Sequence, residues 1–464
     1  MTTLAVRRMF PWLFFFVCFL LTTGIGAIII GSSGGVRWGI NENRLQAVGM
    51  DVSQINSDIY SGTAYWMLLA VCLGVPLIGV AANMCGVRLF RFRAAKLRTT
   101  IHDARILALA RGLFFLGIAW ILGRILLGLG DPIGTIRGAW GDSLEIHYEV
   151  RVRLMNLLSE QEMGFVYSGL LTLFTIPLYY ALMVRKNWRA WLEVSIWFLL
   201  YSGLGLFLVQ KLLISFALMV VGICIVTAGD VLRHWKSLLM VGVAFFSLIY
   251  FAMRNKVADW SLTASLEQVI FRVADGYPYA MSLGQRHPFT PTQYWVGSLV
   301  GRPGFLGDPA DYNIRIFDMM FPKEKGATAL SAPVWSYCDV GWGGVAVTLG
   351  LIAALCGLAG MIGKYVEQSV WAWALYILIL VQLYHLTQIP FIGVLMWSYG
   401  APYGILVLLF LTIAAGWLEL RPTGSARVKA NEDLHSMRDR RDSMAEMNAS
   451  RIPLNHSTKQ IQAE

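Results

Sequence analysis

The stretch FPWLFFFVCFLLTTGIGAIII, residues 10–30, decides the fold class of this chain. It is a run of 21 residues without a charged side chain, and Arg7 and Arg8 come shortly before it. A helix of about 20 apolar residues crosses the hydrocarbon core of a bilayer. The run is too long for the core of a signal peptide, and no convincing cleavage site follows it. We therefore interpret it as an uncleaved first membrane span.

The composition of the whole chain agrees with this interpretation. Of its 464 residues, 56% are hydrophobic and only 14% are charged, whereas soluble domains carry about 25% charged residues. The net charge of +10 comes from Lys and Arg clustered at the flanks of apolar runs. That pattern is typical of anchoring at a membrane surface, so membrane lipids are expected partners and nucleic acid is not.

Ten apolar runs predict an all-α, polytopic bundle of about ten transmembrane helices, because only helices fit runs of this length in lipid. The predicted spans are residues 10–31, 64–86, 107–129, 164–184, 191–209, 212–229, 237–253, 336–362, 370–390 and 395–418. The chain then divides into helices 1–7 (1–253), a large loop (254–335), helices 8–10 (336–419) and a polar tail (420–464). The charged tail is poor in apolar residues and is predicted to be disordered.

The distribution of Lys and Arg predicts the orientation of the bundle. In the short connections, one side carries 14 of these residues and the other carries 6. The positive-inside rule then places both termini in the cytoplasm and the loop 254–335 on the outer face, which is the periplasm in a bacterium. Long loops are exported regardless of their charge, so the cations of this loop do not oppose the orientation.

The large loop combines cations with aromatic side chains. Its basic residues are Arg254, Lys256, Arg272, Arg286, Arg302, Arg315, Lys323 and Lys325. Arginine presents a planar fork of donors that suits phosphate, so one interpretation is a binding face for a phosphorylated, membrane-borne substrate. Ordinary surface charge paired with Asp and Glu is the other. The interleaved Tyr, Trp and Phe are typical of interfacial anchoring and could also stack on sugar rings.

Two residues of the loop are candidates for acid–base chemistry. A glycosyl transfer needs a group that deprotonates the attacking hydroxyl, and Asp275 and His287 could supply it. Apolar residues in SLEQVIFRVADGYPYAMSL are spaced for an amphipathic helix. Asp275 follows Arg272 by three residues, which predicts that both lie on one helical face. An intrahelical ion pair would explain that spacing equally well.

Polar residues also interrupt three of the apolar runs. Lys211 follows Gln210 in a minimal outward turn between spans five and six, where it could snorkel or meet an anionic headgroup. Arg124, near the outward end of span three, fits snorkelling. His385 lies one turn before Gln388 in YHLTQIPF, and a packed, hydrogen-bonded histidine is favoured there over a catalytic one.

Motifs for metals and nucleotides are missing from the sequence. The six cysteines contain no CxxC pair, and the chain has neither HExxH nor a Walker A motif. No DxD pair occurs in an outward loop, and GDPAD is the nearest approach. A sugar donor activated by a lipid diphosphate would not need such a pair, so we expect neither a metal nor a cofactor.

The stretch GATALSAPVWSYCDVGWGG, residues 326–344, leads from the large loop into the eighth apolar run. Its small residues, among them Gly326 and Ser331, allow backbone to approach backbone or ligand closely. Pro333 would start or redirect the helix, and the glycines after it permit close helix packing in the membrane. We predict a hinge for a loop that covers the substrate; a well-packed helix start is the alternative.

With its ten spans and one large outward loop, the chain resembles the Wzy-type polysaccharide polymerases, including the polymerase of enterobacterial common antigen. The segments that carry the resemblance are FRVADGYPY (271–279), VGRPGFLGDPADYNIRIF (300–317) and the stretch 326–344. In that family a very short outward turn often carries an arginine. Here the turn reads LVQKLL, so the role of Lys211 departs from the pattern.

The resemblance implies a GT-C-like glycosyltransferase at the periplasmic face of the bacterial inner membrane. It would join undecaprenyl-diphosphate-linked oligosaccharides into O-antigen, common antigen or exopolysaccharide without a metal. A chain-length regulator and a flippase of the same pathway would be its protein partners. We predict that Arg272, Arg302 and Arg315 bind the donor diphosphate and stabilise the leaving charge, with Lys211 assisting at the membrane surface.

Three other functions are compatible with the sequence. An O-antigen ligase shares the topology and the donor but transfers the chain to a lipid A core sugar. A flippase or transporter for lipid-linked oligosaccharides should line its transmembrane interior with charge, whereas this chain concentrates charge in a loop. A membrane-bound acyltransferase would need an intramembrane histidine, and only His385 offers one.

Overall fold

A computed structural model describes residues 3–32, 62–85, 103–141, 144–228, 235–254, 262–263, 270–271, 273–286, 316, 329–389 and 401–420. All regular structure in these ranges is helical. The α-helices are α1 (Thr3–Phe19), α2 (Ile25–Ser32), α3 (Thr63–Met84), α4 (Asp103–Gly128), α5 (Pro132–Gly141), α6 (Leu144–Leu157), α7 (Glu160–Gly164), α8 (Leu170–Tyr179), α9 (Trp188–Phe207), α10 (Lys211–Thr227), α11 (Trp235–Arg254), α12 (Gly276–Arg286), α13 (Ala332–Ile362), α14 (Val370–His385) and α15 (Ala401–Leu420). Short π-helical segments at Leu20–Gly24, Phe165–Gly169 and Tyr180–Arg185 continue neighbouring α-helices.

Six helical runs in the described part of the chain are long and apolar enough to cross a membrane. They are Val6–Ser32, Thr63–Met84, Arg105–Gly128, Gln161–Arg185, Trp188–Phe207 and Val340–Ile362. Shorter apolar helices cover Leu212–Thr227, Val370–His385 and Ala401–Ala415. The protein is therefore a polytopic helical membrane protein, as the composition predicts. The predicted span 237–253 falls on α11, which is outside both groups, and the total of ten stays a prediction.

Successive helices alternate in direction, so contacts between helix termini define the two ends of the bundle. At one end the buried Arg7 guanidinium donates from Nε to the carbonyl of Thr227 over 2.9 Å. The Nη2 atom of Arg7 also lies 2.7 Å from Oε1 of Glu367. Helix α1 begins here, α10 ends here, and Glu367 lies in the turn before α14. We call this the Arg7 end.

The opposite end, which we call the His385 end, contains the last residue of α14. The ring centroid of His385 lies 4.8 Å from that of Phe216 near the start of α10. Arg124 also lies towards this end, where its Nε is 3.4 Å from Oε1 of Glu162 and its Nη2 donates to the carbonyl of Leu157 over 2.9 Å. The arginine that fits snorkelling in the sequence therefore forms an ion pair between helices.

The run Gln161–Arg185 is the central helix of the described bundle. It is apolar on all sides, as in LLTLFTIPLYY at residues 170–180. Of its most apolar stretch of 18 residues, 94% is buried. A helix that is hydrophobic all round belongs in an interior. Its buried polar groups bind neighbouring helices: Trp373 donates to the carbonyl of Thr175 over 3.1 Å, and the Ser168 hydroxyl accepts from the Gly404 amide over 3.0 Å.

Candidate functional site at the His385 end

Helix α13 breaks at Gly341 and folds back on itself. Gly341 has φ 62° and ψ −145°, a backbone conformation that essentially only glycine adopts. Ser336 Oγ and Thr348 Oγ1 share a hydrogen bond of 2.6 Å, whereas a straight helix would separate residues twelve positions apart by about 18 Å. A Cβ at Gly344 would lie 2.6 Å from the Ser336 carbonyl oxygen, so the close approach needs that glycine too. Residues 332–340 thus form a short element that we call the folded-back helix.

The folded-back helix begins against the turn that follows α14. The Leu330 amide donates to the carbonyl of Gln388 over 3.1 Å, and the Ala332 amide donates to the carbonyl of Leu386 over 2.8 Å. Ser331 is the N-cap residue, and Pro333 lies in the first turn, where a missing amide proton costs nothing. This pairing ties the end of the large loop to the turn 386–389 inside the bundle.

The turn 386–389 follows an apolar helix that is shorter than the hydrocarbon core of a bilayer. Helix α14 has 16 residues, which gives a length of about 24 Å against about 30 Å for the hydrocarbon core. It starts at the Arg7 end beside Glu367, and a helix of this length that begins at one membrane surface ends before the other. Irregular backbone at this depth is found where protein covers it or where it lines a polar cavity. Interrupted helices of this kind form substrate sites in transporters.

Three polar side chains at this position are buried without a hydrogen-bond partner among the described residues. They are Ser331, Gln382 and His385, and we call them the buried polar set. Gln382 and His385 lie three residues apart on one face of α14, and Ser331 lies beside the turn that follows it. Each unpaired buried group costs about 1–3 kcal/mol. The fold therefore leaves unused hydrogen-bonding capacity at the end of the short apolar helix α14.

Asp275 lies at the start of α12, close to the first membrane span. Its amide donates to the carbonyl of Phe271 over 2.8 Å. The neighbouring Ala274 packs so tightly on the first span that a Cβ at Gly26 would lie 2.3 Å from the Ala274 Cβ. Burial raises the pKa of the Asp275 carboxyl from 3.8 to about 7. Such a carboxyl exchanges its proton near neutral pH, as a general base requires.

Helix α12 packs against the folded-back helix. The Cys338 thiol donates to the carbonyl of Ala280 over 3.1 Å, and Tyr277 OH donates to the carbonyl of Tyr65 over 2.8 Å. One contact reaches the folded-back helix, and the other reaches α3. The folded-back helix therefore touches both the Asp275 segment and, at its start, the turn beside the buried polar set.

The described residues include only part of the predicted site. Asp275, Ser331 and Pro333 have the positions given above, and Lys211 is the first residue of α10, after a turn in which Val209 has φ 55°. Nothing of the Lys211 side chain is described. The other predicted site residues lie outside the described residues: Arg272, His287, Arg302, Arg315 and Gly326.

The helix predicted around Asp275 is described only in part, and it differs at residues 273–275. A continuous helix was expected through Arg272 and Asp275, but residues 273–275 form a turn and α12 begins at Gly276. Glycine at 276 and proline at 278 favour a break followed by a new helix start, which explains the difference. Asp275 therefore directly precedes α12, and a common helical face with Arg272, which lies outside the described residues, stays a prediction.

Sequence reasoning missed Gln382 and only partly described His385. The packing of His385 against Phe216 agrees with the prediction, but no described residue bonds to either ring nitrogen. The available signal was a glutamine three residues before a histidine in an otherwise apolar run, which puts both on one face. Within the described ranges, no three His, Cys, Asp or Glu side chains are grouped so that they could hold a metal ion.

Comparisons with known proteins leave the family open. The chain matches no family model. Neither the curated proteins nor the solved structures give a match. What the site does must therefore be inferred from its own residues and their geometry.

Proposed function

We propose that the protein is a glycosyltransferase that polymerises undecaprenyl-diphosphate-linked oligosaccharide units into a surface polysaccharide. The His385 end would face the periplasm of a bacterial inner membrane. The positive-inside rule supports this orientation, because described cations collect at the Arg7 end. They include Arg7, Arg8, Arg185, Lys186 and Lys364.

The observation that carries the proposal is the position of Asp275. A partly buried carboxyl at the start of α12, against the first membrane span, can act on a substrate that is held at the membrane surface. The pKa of about 7 lets it accept a proton under physiological conditions. A lipid-linked sugar meets that requirement, since its reacting carbon stays next to the bilayer.

The reaction assigns one task to each group. The Asp275 carboxylate removes the proton from a hydroxyl at the non-reducing end of the incoming unit. The hydroxyl oxygen then forms a bond to the anomeric carbon of the growing chain, and the bond from that carbon to undecaprenyl diphosphate breaks. The diphosphate leaves with the bonding electrons. Arg272, Arg302 and Arg315 stabilise its negative charge, since electrostatic stabilisation of developing charge is a large catalytic effect.

Three further residues have supporting tasks in this proposal. Lys211, at the first turn of α10, contacts the anionic headgroup at the membrane surface. Gly326 and Ser331 act with Pro333 as the hinge between the large loop and the folded-back helix. His287 replaces Asp275 as the base if Asp275 serves only to position the loop.

A deletion strain tests the reaction. Surface polysaccharide would be separated on a gel, and lipid-linked intermediates would be measured by mass spectrometry. A polymerase leaves a single capped repeat unit with no ladder above it. Long polymer that stays on the carrier lipid indicates a ligase instead, and units trapped on the cytoplasmic side indicate a flippase. Either of the last two results would overturn the proposal.

Single substitutions test the assigned groups. Arg272→Ala should shorten the polymer strongly at an unchanged protein level, whereas Arg153→Ala should not, because Arg153 is an exposed cation of α6. Normal chain length in Arg272→Ala would remove this arginine from the diphosphate site. Gly326→Leu with normal polymer would remove the hinge.

A further inference from the structure

The hydrogen-bonding groups of the buried polar set have no task in the proposed reaction, in which Ser331 serves only as part of the hinge. The exposure of the set shows how completely it is closed. Ser331 is 0% exposed, Gln382 is 3% exposed and His385 is 5% exposed. Both polar atoms of Gln382 and both ring nitrogens of His385 lack a partner among the described residues. Other unpaired buried side chains in the described part, such as Thr227, leave a single atom unpaired.

The chemistry of the set selects the kind of group that it could bind. An amide, an imidazole and a hydroxyl can each donate and accept hydrogen bonds, and only the imidazole can acquire a charge. Nowhere in the described residues does an Asp, Glu, Lys or Arg side chain bond to the set. Sugar hydroxyls are neutral and also both donate and accept. A phosphate would instead need cationic donors, and the described side chains at this position include none.

Aromatic residues lie next to two members of the set. The Phe216 ring lies 4.8 Å from His385 and 6.3 Å from Tyr384, both measured between ring centroids. Trp335 is in the first turn of the folded-back helix, and its amide donates to the carbonyl of Ser331 over 2.9 Å. An apolar surround with a few converging polar groups is the usual composition of a small-molecule site.

We propose that Ser331, Gln382 and His385 bind the hydroxyl groups of a neutral sugar residue of the lipid-linked substrate. The inference rests on the proposed function, which supplies the sugar. It adds a sugar-binding task to the diphosphate-binding task that the proposed function gives to the arginines of the loop. The sugar reaches this subsite when the folded-back helix moves away from the turn 386–389. Gly341 is the joint that permits this movement, because the two halves of α13 are already separate helices there.

Apolar replacements of matched shape separate a binding role from a structural one. Gln382→Met and His385→Phe remove hydrogen-bonding groups that have no partner in the described part of the chain, so neither should lower the melting temperature of the purified chain. Both should raise the KM for the lipid-linked oligosaccharide extracted from the deletion strain, by about tenfold for each lost pair of hydrogen bonds. The same extract should raise the melting temperature of the natural chain and not of the variants.

Thr227→Val is the matched control. Thr227 also buries an unpaired hydroxyl, but it lies at the Arg7 end, and its backbone carbonyl keeps its bond from Arg7. This variant should leave KM unchanged. Ser331→Ala provides a smaller perturbation if a larger one fails to fold, because the Ser331 side chain makes no capping bond.

The outcomes separate this inference from the proposed function. Absence of lipid-linked units from the deletion strain overturns the proposed function and the inference with it. Accumulated units together with natural KM values in Gln382→Met and Ser331→Ala overturn the inference alone, since the set then holds only water. A raised KM in these variants, with an unchanged Thr227→Val control, establishes the subsite.

Discussion

Replacing Gly341 with alanine should destabilise the folded-back helix. At φ 62° and ψ −145° a side chain costs about 1–3 kcal/mol. Alanine also favours a straight helix over glycine by about 1 kcal/mol, and a straight α13 is the competing conformation. The two effects sum to about 2–4 kcal/mol, which corresponds to a shift of about 30- to 1,000-fold between the two conformations.

A pair of cysteines can report which conformation is present. Ser336→Cys and Thr348→Cys place two sulfurs where the side-chain oxygens lie 2.6 Å apart, which is within reach of a disulfide. The pair would be placed in a chain whose six natural cysteines are replaced by alanine. Membranes would be oxidised, denatured and labelled with a large maleimide. A disulfide protects both thiols, so Gly341→Ala should increase the labelled fraction.

Gly343→Ala is the control for this experiment, because an added Cβ there meets nothing within 4 Å. It should leave both the labelling and the melting temperature unchanged. If packing keeps the folded-back conformation in Gly341→Ala, the same free energy must appear as a lower melting temperature. Unchanged labelling together with an unchanged melting temperature in Gly341→Ala would refute the reasoning.

Three further predictions concern charged groups. Burial raises the pKa of Asp275 from 3.8 to about 7. As the pH rises from about 4 to 7, the free energy of unfolding of the natural chain should therefore fall by up to about 4 kcal/mol relative to Asp275→Asn, and thermal unfolding measures this difference. Polymer synthesis should increase over the same range, because the base must be ionised. Arg111→Leu breaks two 2.7 Å hydrogen bonds to Glu193 and should cost about 1–3 kcal/mol, most of which the double change to leucine recovers in a melting experiment. Arg7→Ala should lower the melting temperature through a loss of about 1.5–3 kcal/mol, whereas Arg8→Ala should not.

The sequence predicts the positions of the membrane helices well, because apolar length is a local property. The first span was expected at 10–31 and is observed at Val6–Ser32, and the fourth was expected at 164–184 and is observed at Gln161–Arg185. The composition of such runs is dictated by the lipid, which leaves few alternatives to a helix. Span boundaries within a few residues therefore follow from hydropathy alone.

The interior of the candidate site could not be predicted in the same way. A span was expected over 336–362, but the chain reverses at Gly341 and the apolar helix starts at Val340. The sequence does not indicate which of the three glycines Gly341, Gly343 and Gly344 breaks the helix. Only their tertiary surroundings decide which one adopts a positive φ, since that choice depends on where Ser336 and Thr348 meet.

The folded-back helix contacts both parts of the candidate site, which are the turn beside the buried polar set and the segment that carries Asp275. Its start is bonded to the turn 386–389, and Cys338 near its end is bonded to α12, which Asp275 precedes. Packed elements respond to a perturbation by switching between discrete arrangements. If a sugar displaces the start of this helix from the buried polar set, the contact with α12 must adjust in the same step. Occupancy of the polar set would then determine the position of the base, and the bonded chain from Leu386 to Ala280 is the physical path along which that coupling is expected.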